Sequence, residues 1–164
     1  GFARILRTDD TALVEKAVRI YREEYAASGM YEAEVYSGII QLCEQLQTDG
    51  VLLRIVTSKA QDFAEKIAAR FSLDRYFPVV YGPDLKGNRS DKTELIRFAL
   101  ESEGLLPEDT VMTGDREYDI IGARGNGVRP VGALWGFGSR EELVGAGAEY
   151  LAETPSAVMA AMRD

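Results

Sequence analysis

From residue 51 onward, short apolar runs alternate with segments in which apolar residues recur at helical spacing. The first run is nearly continuous over six residues, which is typical of a strand covered on both faces. Strands that alternate with helices in this way form parallel sheets. The sequence therefore predicts an α/β fold with a doubly wound parallel sheet, with strands at residues 51–56, 79–81, 111–113 and 130–134 and an edge strand at 149–151.

The first 48 residues follow a different pattern, with two predicted helices and no strand between them. Asp10 can cap the first helix through its side chain. The second helix has apolar residues on one face, and Cys43 lies on that face, so we expect a core thiol there instead of a reactive one. We therefore predict a helical piece at residues 1–48 and an α/β core at residues 49–164.

Histidine does not occur among the 164 residues of the chain. Its absence excludes Ser-His-Asp and Cys-His catalysis and every metal site with a histidine ligand. Any catalysis must therefore use carboxylates, lysine, arginine, hydroxyl groups or a bound ion. A hard cation held by oxygen atoms is the metal site that this composition supports best.

The net charge of −8 argues against nucleic acid or an anionic membrane as a partner, because both require concentrated positive charge. No apolar run is long enough to span a bilayer, and we expect no signal peptide. Cys43 is the single cysteine, so an internal disulfide is impossible. These features predict a cytoplasmic protein that is a monomer or a weak homodimer.

Polar residues end two of the predicted strands. Thr57 follows the first strand, and Asp115 follows the strand at residues 111–113. The carboxyl ends of parallel strands meet at one edge of a sheet, where ligands bind, so Thr57 and Asp115 are expected in the same crevice. Asp115 could bind Mg²⁺ there as an oxygen ligand. It could equally do no more than cap the helix that follows it.

Two helix starts carry specific predictions. Ser139 and Glu142 match the capping-box pattern of a helix N-terminus. A second helix carries Lys92 in its first turn, where the helix dipole disfavours a cation by about 0.3–1 kcal/mol unless an anion is near. A phosphate beside Lys92 would remove that cost. Lys92 could also be a solvated surface lysine, and Lys86 or Arg89 could supply the positive charge instead.

A hydroxyl, an ammonium and a metal-binding carboxylate form a set suited to phosphoryl groups, because phosphoryl transfer depends on positioning and on neutralising the phosphoryl oxygens. Thr57, Lys92 and Asp115 supply these three groups. The set contains no nucleophile, since Thr57 has no nearby base to activate it.

Three segments of the chain resemble, in order, the second, third and fourth motifs of the haloacid dehalogenase superfamily of phosphatases. They are Leu-Arg-Ile-Val-Thr-Ser-Lys at 53–59, Arg-Ser-Asp-Lys-Thr-Glu-Leu-Ile at 89–96 and Gly-Asp-Arg-Glu-Tyr-Asp at 114–119. Residues 136–143 are similar to a segment common in the phosphoglycolate-phosphatase-like branch. The resemblance implies a Rossmann-like core, with residues 1–48 as part of the helical cap that covers the substrate.

The resemblance also implies roles for individual residues. Thr57 would hydrogen-bond the phosphoryl group, and Lys92 would neutralise it. Ser58 and Lys59 would flank the phosphate-binding site. The Mg²⁺ cofactor would be bound by Asp115, with Asp119 supporting the metal site directly or through water.

The chain departs from the family at its beginning. Members open with a central strand that ends in Asp-x-Asp, the first Asp being the nucleophile, and no segment upstream of Thr57 matches this motif. Asp9 and Asp10 follow no apolar strand. A fold without that strand would leave apolar faces and unpaired backbone on two neighbouring strands. We therefore expect the nucleophile to lie upstream of this chain, in a longer polypeptide.

These observations predict a Mg²⁺-dependent phosphatase that hydrolyses a small phosphorylated metabolite through an aspartyl-phosphate. Phosphoglycolate is the substrate implied by the branch, and a nucleoside monophosphate is a close alternative. The fragment alone would be inactive without its nucleophile. The competing hypothesis is a truncated, non-catalytic relative that binds a phosphorylated ligand or partner.

Overall fold

The computed structural model describes residues 2–27, 29 and 32–162. The chain divides into two compact units, residues 1–34 and residues 35–164. The first unit contains helix α1 at Phe2–Leu6 and helix α2 at Thr11–Ala27. Asp10 caps α2 as predicted, because its Oδ1 accepts hydrogen bonds from the amides of Ala12 at 3.0 Å and Leu13 at 3.2 Å.

The second unit contains five parallel strands. They are β1 at Ile55–Val56, β2 at Val80–Tyr81, β3 at Val111–Gly114, β4 at Arg129–Ala133 and β5 at Tyr150–Ala152. Strand β1 pairs with β2, and β4 pairs with β3 on one side and β5 on the other. The parallel α/β fold predicted from the sequence is therefore confirmed.

Helices alternate with these strands. They are α3 at Ile39–Thr48, α4 at Gln61–Arg70, α5 at Lys92–Glu103, α6 at Glu117–Gly125, α7 at Arg140–Ala146 and α8 at Val158–Ala161. Asp91 sets the start of α5, because its Oδ1 accepts from the amide of Glu94 at 2.9 Å. Gly104 ends the helix in the left-handed region with φ 63°, which a residue with a side chain rarely adopts.

The sheet is divided between β1 and β3. These two strands are not hydrogen-bonded to each other, and no strand of the described residues lies between them. A cavity of about 690 Å³ opens there, lined by the apolar residues 51–53 and by both strands. The amides of Ile55 and Thr57 donate to the carbonyl oxygens of Val79 and Tyr81 on the β2 side. Because alternate residues of a strand direct their backbone groups to opposite sides, the backbone groups of Val56 face the cavity.

Among the described residues, β1 has a hydrogen-bonded neighbour on one side only. The sequence predicts a strand over residues 51–56, but only Ile55 and Val56 form a ladder. Leu52 is 67% exposed, although its apolar run predicts burial on both faces. The difference has a physical cause, because this run lines the open cavity and no described strand covers it.

The core of the second unit contains several clusters of buried apolar residues. Ile96, Leu100 and Ala123 pack together between α5 and α6, and a second cluster joins β4, β5 and α8. Leu42 of α3 packs against that second cluster, so α3 belongs to the unit with the sheet. Whether the family's cap extends to residue 48 stays a prediction.

A charged network ties β1 and β2 to the end of α5. The Arg54 guanidinium pairs with Glu103, and the Tyr81 hydroxyl donates to Oε1 of Glu103 at 2.9 Å. Hydrogen bonding to Arg54 lowers the pKa of Glu103, and burial raises the pKa of Tyr81. Among the helices of the described part, none is long and apolar enough to cross a membrane.

Candidate active site

A cavity of about 410 Å³ lies where β1 and β3 end, and it contains most of the predicted site. Five of the six predicted site residues line it, namely Thr57, Ser58, Lys92, Asp115 and Asp119. Lys59 is not part of its lining. The predicted meeting of the strand ends at one edge therefore matches the observed geometry, although the roles of these residues stay predictions.

Lys92 is the first residue of α5 and is buried, with 8% of its surface exposed. Its Nζ lies 2.9 Å from the carbonyl oxygen of Val56 and 3.0 Å from Oδ1 of Asp119. Asp119 is thus the anion that makes a lysine at this helix start tolerable. The alternative of a solvated surface lysine is excluded, and Arg89 instead stacks on the ring of Phe98 at 4.4 Å.

Asp119 lies in the first turn of α6 and uses both of its carboxylate oxygens. Oδ1 pairs with Lys92, and Oδ2 accepts from the amide of Arg116 at 3.2 Å. The approach to β3 is close, because a Cβ atom at Gly114 would lie 2.2 Å from Cβ of Asp119. Asp119 therefore positions Lys92, and its contact with a metal stays a prediction.

Asp115 follows β3 directly and is held by the loop after β4. Its Oδ2 accepts from the amide of Phe137 at 2.8 Å. A Cβ atom at Gly136 would lie 2.3 Å from Cβ of Asp115, and one at Gly138 would lie 2.0 Å from its carbonyl oxygen. The N-cap residue of α6 is Arg116, so the alternative that Asp115 serves only as a helix cap is wrong.

Thr57 is placed to donate a hydrogen bond to a ligand in the cavity. Its Oγ1 accepts from the amide of Lys59 at 3.1 Å, which leaves the hydroxyl hydrogen available for another acceptor. The amide of Thr57 bonds to the carbonyl of Tyr81 at 2.9 Å and so fixes the end of β1. A phosphoryl oxygen in the cavity is an acceptor that this hydroxyl can serve.

The charges of the site favour a divalent cation together with phosphate. Lys92 and Arg116 are positive and Asp115 and Asp119 are negative, so the charged side chains that line the cavity sum to zero. A phosphate dianion would therefore meet no net positive charge there unless a cation accompanied it.

The donor set fits Mg²⁺, which is usually bound by one or two carboxylates together with waters and substrate phosphate. Asp115 and Asp119 are two carboxylates in one cavity. Within the described ranges, no group of three or more acidic, cysteine or histidine residues could hold a metal. Two carboxylates would fill only part of a Mg²⁺ coordination shell.

Six further residues line the cavity, and two of them, Arg116 and Tyr118, are polar side chains to which the sequence assigned no role. Glu142 does not line the cavity, but it contacts Arg116, which does, and the sequence assigned it only to a capping box. Its amide donates to Ser139 Oγ at 3.1 Å, as a capping box requires. Its carboxylate instead accepts from Nε of Arg116 at 2.8 Å and from the amide of Glu117 at 2.9 Å.

The electrostatics of this pair are mutual. Hydrogen bonding to Arg116 lowers the pKa of Glu142, and the same bond raises the pKa of Arg116. The negative charge of Asp115 also contributes, to a smaller extent, to raising the pKa of Arg116. The similarity of residues 136–143 to a segment of the phosphatase branch marked this region, but it did not predict the contact between Glu142 and Arg116.

Comparison with known proteins places the chain among hydrolases and related phosphoryl-transfer proteins. The profile of the haloacid dehalogenase-like hydrolases matches residues 3–133. A 5'-nucleotidase of Pseudomonas aeruginosa is 46% identical over 134 residues, which cover 82% of this chain and 61% of that protein. The tyrosine-protein kinase PtkA of Mycobacterium tuberculosis is 37% identical over 124 residues, 76% of this chain and 43% of the kinase.

Phosphoglycolate phosphatase 1 of P. aeruginosa is 27% identical over 150 residues, 92% of this chain and 52% of that enzyme. A crystal structure of a predicted phosphatase from Clostridium acetobutylicum superposes with a TM-score of 0.92 at 37% identity, covering 99% of this chain and 74% of that one. The chain thus spans about half the length of the nucleotidase, the kinase and the phosphoglycolate phosphatase, between 43% and 61%. The chain belongs to the haloacid dehalogenase-like hydrolase family.

Proposed function

We propose that this chain supplies the phosphate- and metal-binding part of a Mg²⁺-dependent phosphatase acting on small phosphate monoesters. The observation that carries the proposal is the convergence of Thr57, Lys92 and Asp115 on one cavity. Their hydroxyl, ammonium and carboxylate groups suit the neutralisation and positioning that phosphoryl transfer requires. The family membership supports the same reaction class.

Each residue has a distinct task in this proposal. The Thr57 hydroxyl donates to a phosphoryl oxygen, and Lys92, held by Asp119, neutralises the group. Asp115 would hold Mg²⁺, with Asp119 supporting the metal site directly or through water, and the ion would supply further positive charge to the phosphoryl oxygens. Ser58 lines the same cavity and can donate a second hydrogen bond.

The nucleophile in this proposal is an aspartate upstream of the chain. Its carboxylate oxygen attacks phosphorus while the bond to the ester oxygen breaks, and the leaving oxygen takes up a proton. Water then hydrolyses the aspartyl-phosphate, releasing phosphate and restoring the carboxylate. The cavity between β1 and β3 supports this idea, because it is apolar along the sheet and includes Asp115 in its lining.

Two substrate classes are the first to test. The 46% identity to a 5'-nucleotidase favours a nucleoside 5'-monophosphate, and the 27% identity to a phosphoglycolate phosphatase keeps phosphoglycolate in consideration. The site itself binds only the phosphate, so it does not choose between them.

The decisive experiment measures phosphate release from both substrate classes by the intact protein, with Mg²⁺ and with a chelator. We expect Mg²⁺-dependent hydrolysis that Asp115→Asn abolishes. Retained binding of phosphate esters without any hydrolysis would support the non-catalytic alternative. Mass spectrometry of the intact protein tests the upstream segment separately, since a mass of 18.1 kDa for a folded, active protein would contradict it.

A further inference from the structure

Glu142 sits at the junction of two loops beside the candidate metal site. It lies in the first turn of α7 and reaches the β3–α6 loop, 26 residues earlier in the chain. One carboxylate oxygen, Oε1, accepts both from Nε of Arg116 and from the amide of Glu117. A glutamate whose task was only to cap its own helix would turn back to the amide of Ser139.

The same two loops meet at Asp115. The amide of Phe137 donates to Oδ2 of Asp115, and the backbone at Gly136 and Gly138 packs so closely that a side chain at either position would overlap Asp115. The orientation of Asp115 therefore depends on how the β4–α7 loop is held against the β3–α6 loop. Glu142 is the charged contact that joins them.

Arg116 is a competitor for Asp115 if it is released. It follows Asp115 directly, its side chain is half-exposed, and both residues line the same cavity. An unpaired arginine there could form an ion pair with the carboxylate, since Arg–carboxylate pairs are strong and specific in geometry. Such a pair would occupy the oxygen atoms that a cation needs.

We propose that Glu142 is a positioning residue that keeps the Arg116 guanidinium away from Asp115 and so keeps Asp115 available to Mg²⁺. This inference rests on the proposed function, in which Asp115 is a metal ligand. It assigns Glu142 a role in metal affinity through a contact with Arg116. It does not make Glu142 a ligand or a catalytic residue.

The test is a titration of the intact protein with Mg²⁺ in a calorimeter, without substrate. We expect Glu142→Gln to weaken Mg²⁺ binding about ten-fold, the lower end of the range for partners of metal ligands. Arg116→Gln in the Glu142→Gln background should restore the affinity to within about two-fold of wild type, because the competing charge is removed. Glu141→Gln is the matched control, since Glu141 lies in the same turn and its interactions are with Ser139, Arg140 and its own backbone.

The outcomes separate the inference from the proposed function. If wild type does not bind Mg²⁺ at all, the proposed metal site is wrong. If wild type binds and Glu142→Gln binds equally well, only the role of Glu142 is refuted. If the double variant stays as weak as Glu142→Gln, Glu142 acts through loop structure and the competition with Arg116 is refuted. Thermal unfolding of each variant without Mg²⁺ identifies any variant that fails to fold. In that case Arg116→Lys, with Glu142 intact, tests the same competition in a folded protein. We expect its Mg²⁺ affinity to stay near that of wild type.

Discussion

The Nζ atom of Lys92 lies 3.0 Å from Oδ1 of Asp119, with 7% and 12% of the two side chains exposed. The pair links the first turn of α5 to the first turn of α6, and the second oxygen of Asp119 fixes the amide of Arg116. The lysine predicted to face phosphate is therefore held by a carboxylate predicted to face metal. Changes at either residue are expected to alter both stability and the site.

Asp119→Ala is expected to lower the free energy of unfolding by about 3–5 kcal/mol, because it leaves the buried ammonium of Lys92 without its anion. Lys92→Met in the same background removes the unpaired charge, so the double variant should regain part of that loss. Urea denaturation of wild type, both single variants and the double variant measures the coupling. Losses that simply add would contradict the importance of the pair.

Gly114→Ala is expected to lower stability by about 1–3 kcal/mol, the usual cost of overpacking. The new methyl group would lie 2.2 Å from Cβ of Asp119 and displace it from Lys92. Gly145→Ala is the control, because nothing lies within 4 Å of a Cβ atom at that helical position. Thermal unfolding compares the two, and an equal effect would refute the steric argument.

The Arg54–Glu103 pair predicts a pH dependence. Hydrogen bonding to Arg54 lowers the pKa of Glu103 below its unfolded value, so the folded state binds this proton less readily. The resulting stability is present above the unfolded pKa and is lost as the pH falls through the folded pKa. Glu103→Gln should flatten this acid-side loss in chemical denaturation between pH 3 and 6 (about the range where a glutamate titrates).

Glu101→Gln is the matched control for that measurement, since Glu101 is an exposed residue of the same helix. Its stability curve should follow wild type through the acid range. A Glu103→Gln curve that also followed wild type would show that the Arg54–Glu103 pair does not cause the pH dependence of stability.

Cys43 is expected to react slowly with thiol reagents in the folded protein. It is 3% exposed, and burial raises the pKa of its thiol to about 11. Because the thiolate is the reactive species, its population at pH 8 is about 100-fold lower than for a thiol at the ordinary value of 9.0. Labelling rates in native buffer and in guanidinium chloride test this, and equal rates would contradict it.

The position of the site at one edge of the sheet was predictable, because parallel strands place their carboxyl ends together regardless of loop conformation. Thr57 and Asp115 required only the recognition of two apolar runs and the residues that end them. Lys92 was partly predictable, since the dipole argument demanded an anion near it. That argument could not say that the anion is Asp119 of the next helix.

Glu142 shows why the rest could not be predicted. The pattern Ser139-x-x-Glu142 predicts a capping box, which involves only these four residues. Rules for local structure predict no contact beyond it. The observed contact reaches residues 116 and 117, which only the tertiary packing of α6 and α7 brings within reach. Similarly, the apolar run at residues 51–56 predicts a strand of six residues, but only Ile55 and Val56 form a ladder with β2.

The cavity between β1 and β3 has two hydrogen-bonding walls, and a single strand entering it would have to match both registers at once. Partial entry would gain little, because half-formed ladders leave backbone groups desolvated on either side. Closure of the sheet would therefore be an all-or-none event. Any catalytic group carried at the end of such a strand would reach Asp115 only in the fully assembled protein. Partly folded chains would therefore lack catalytic activity.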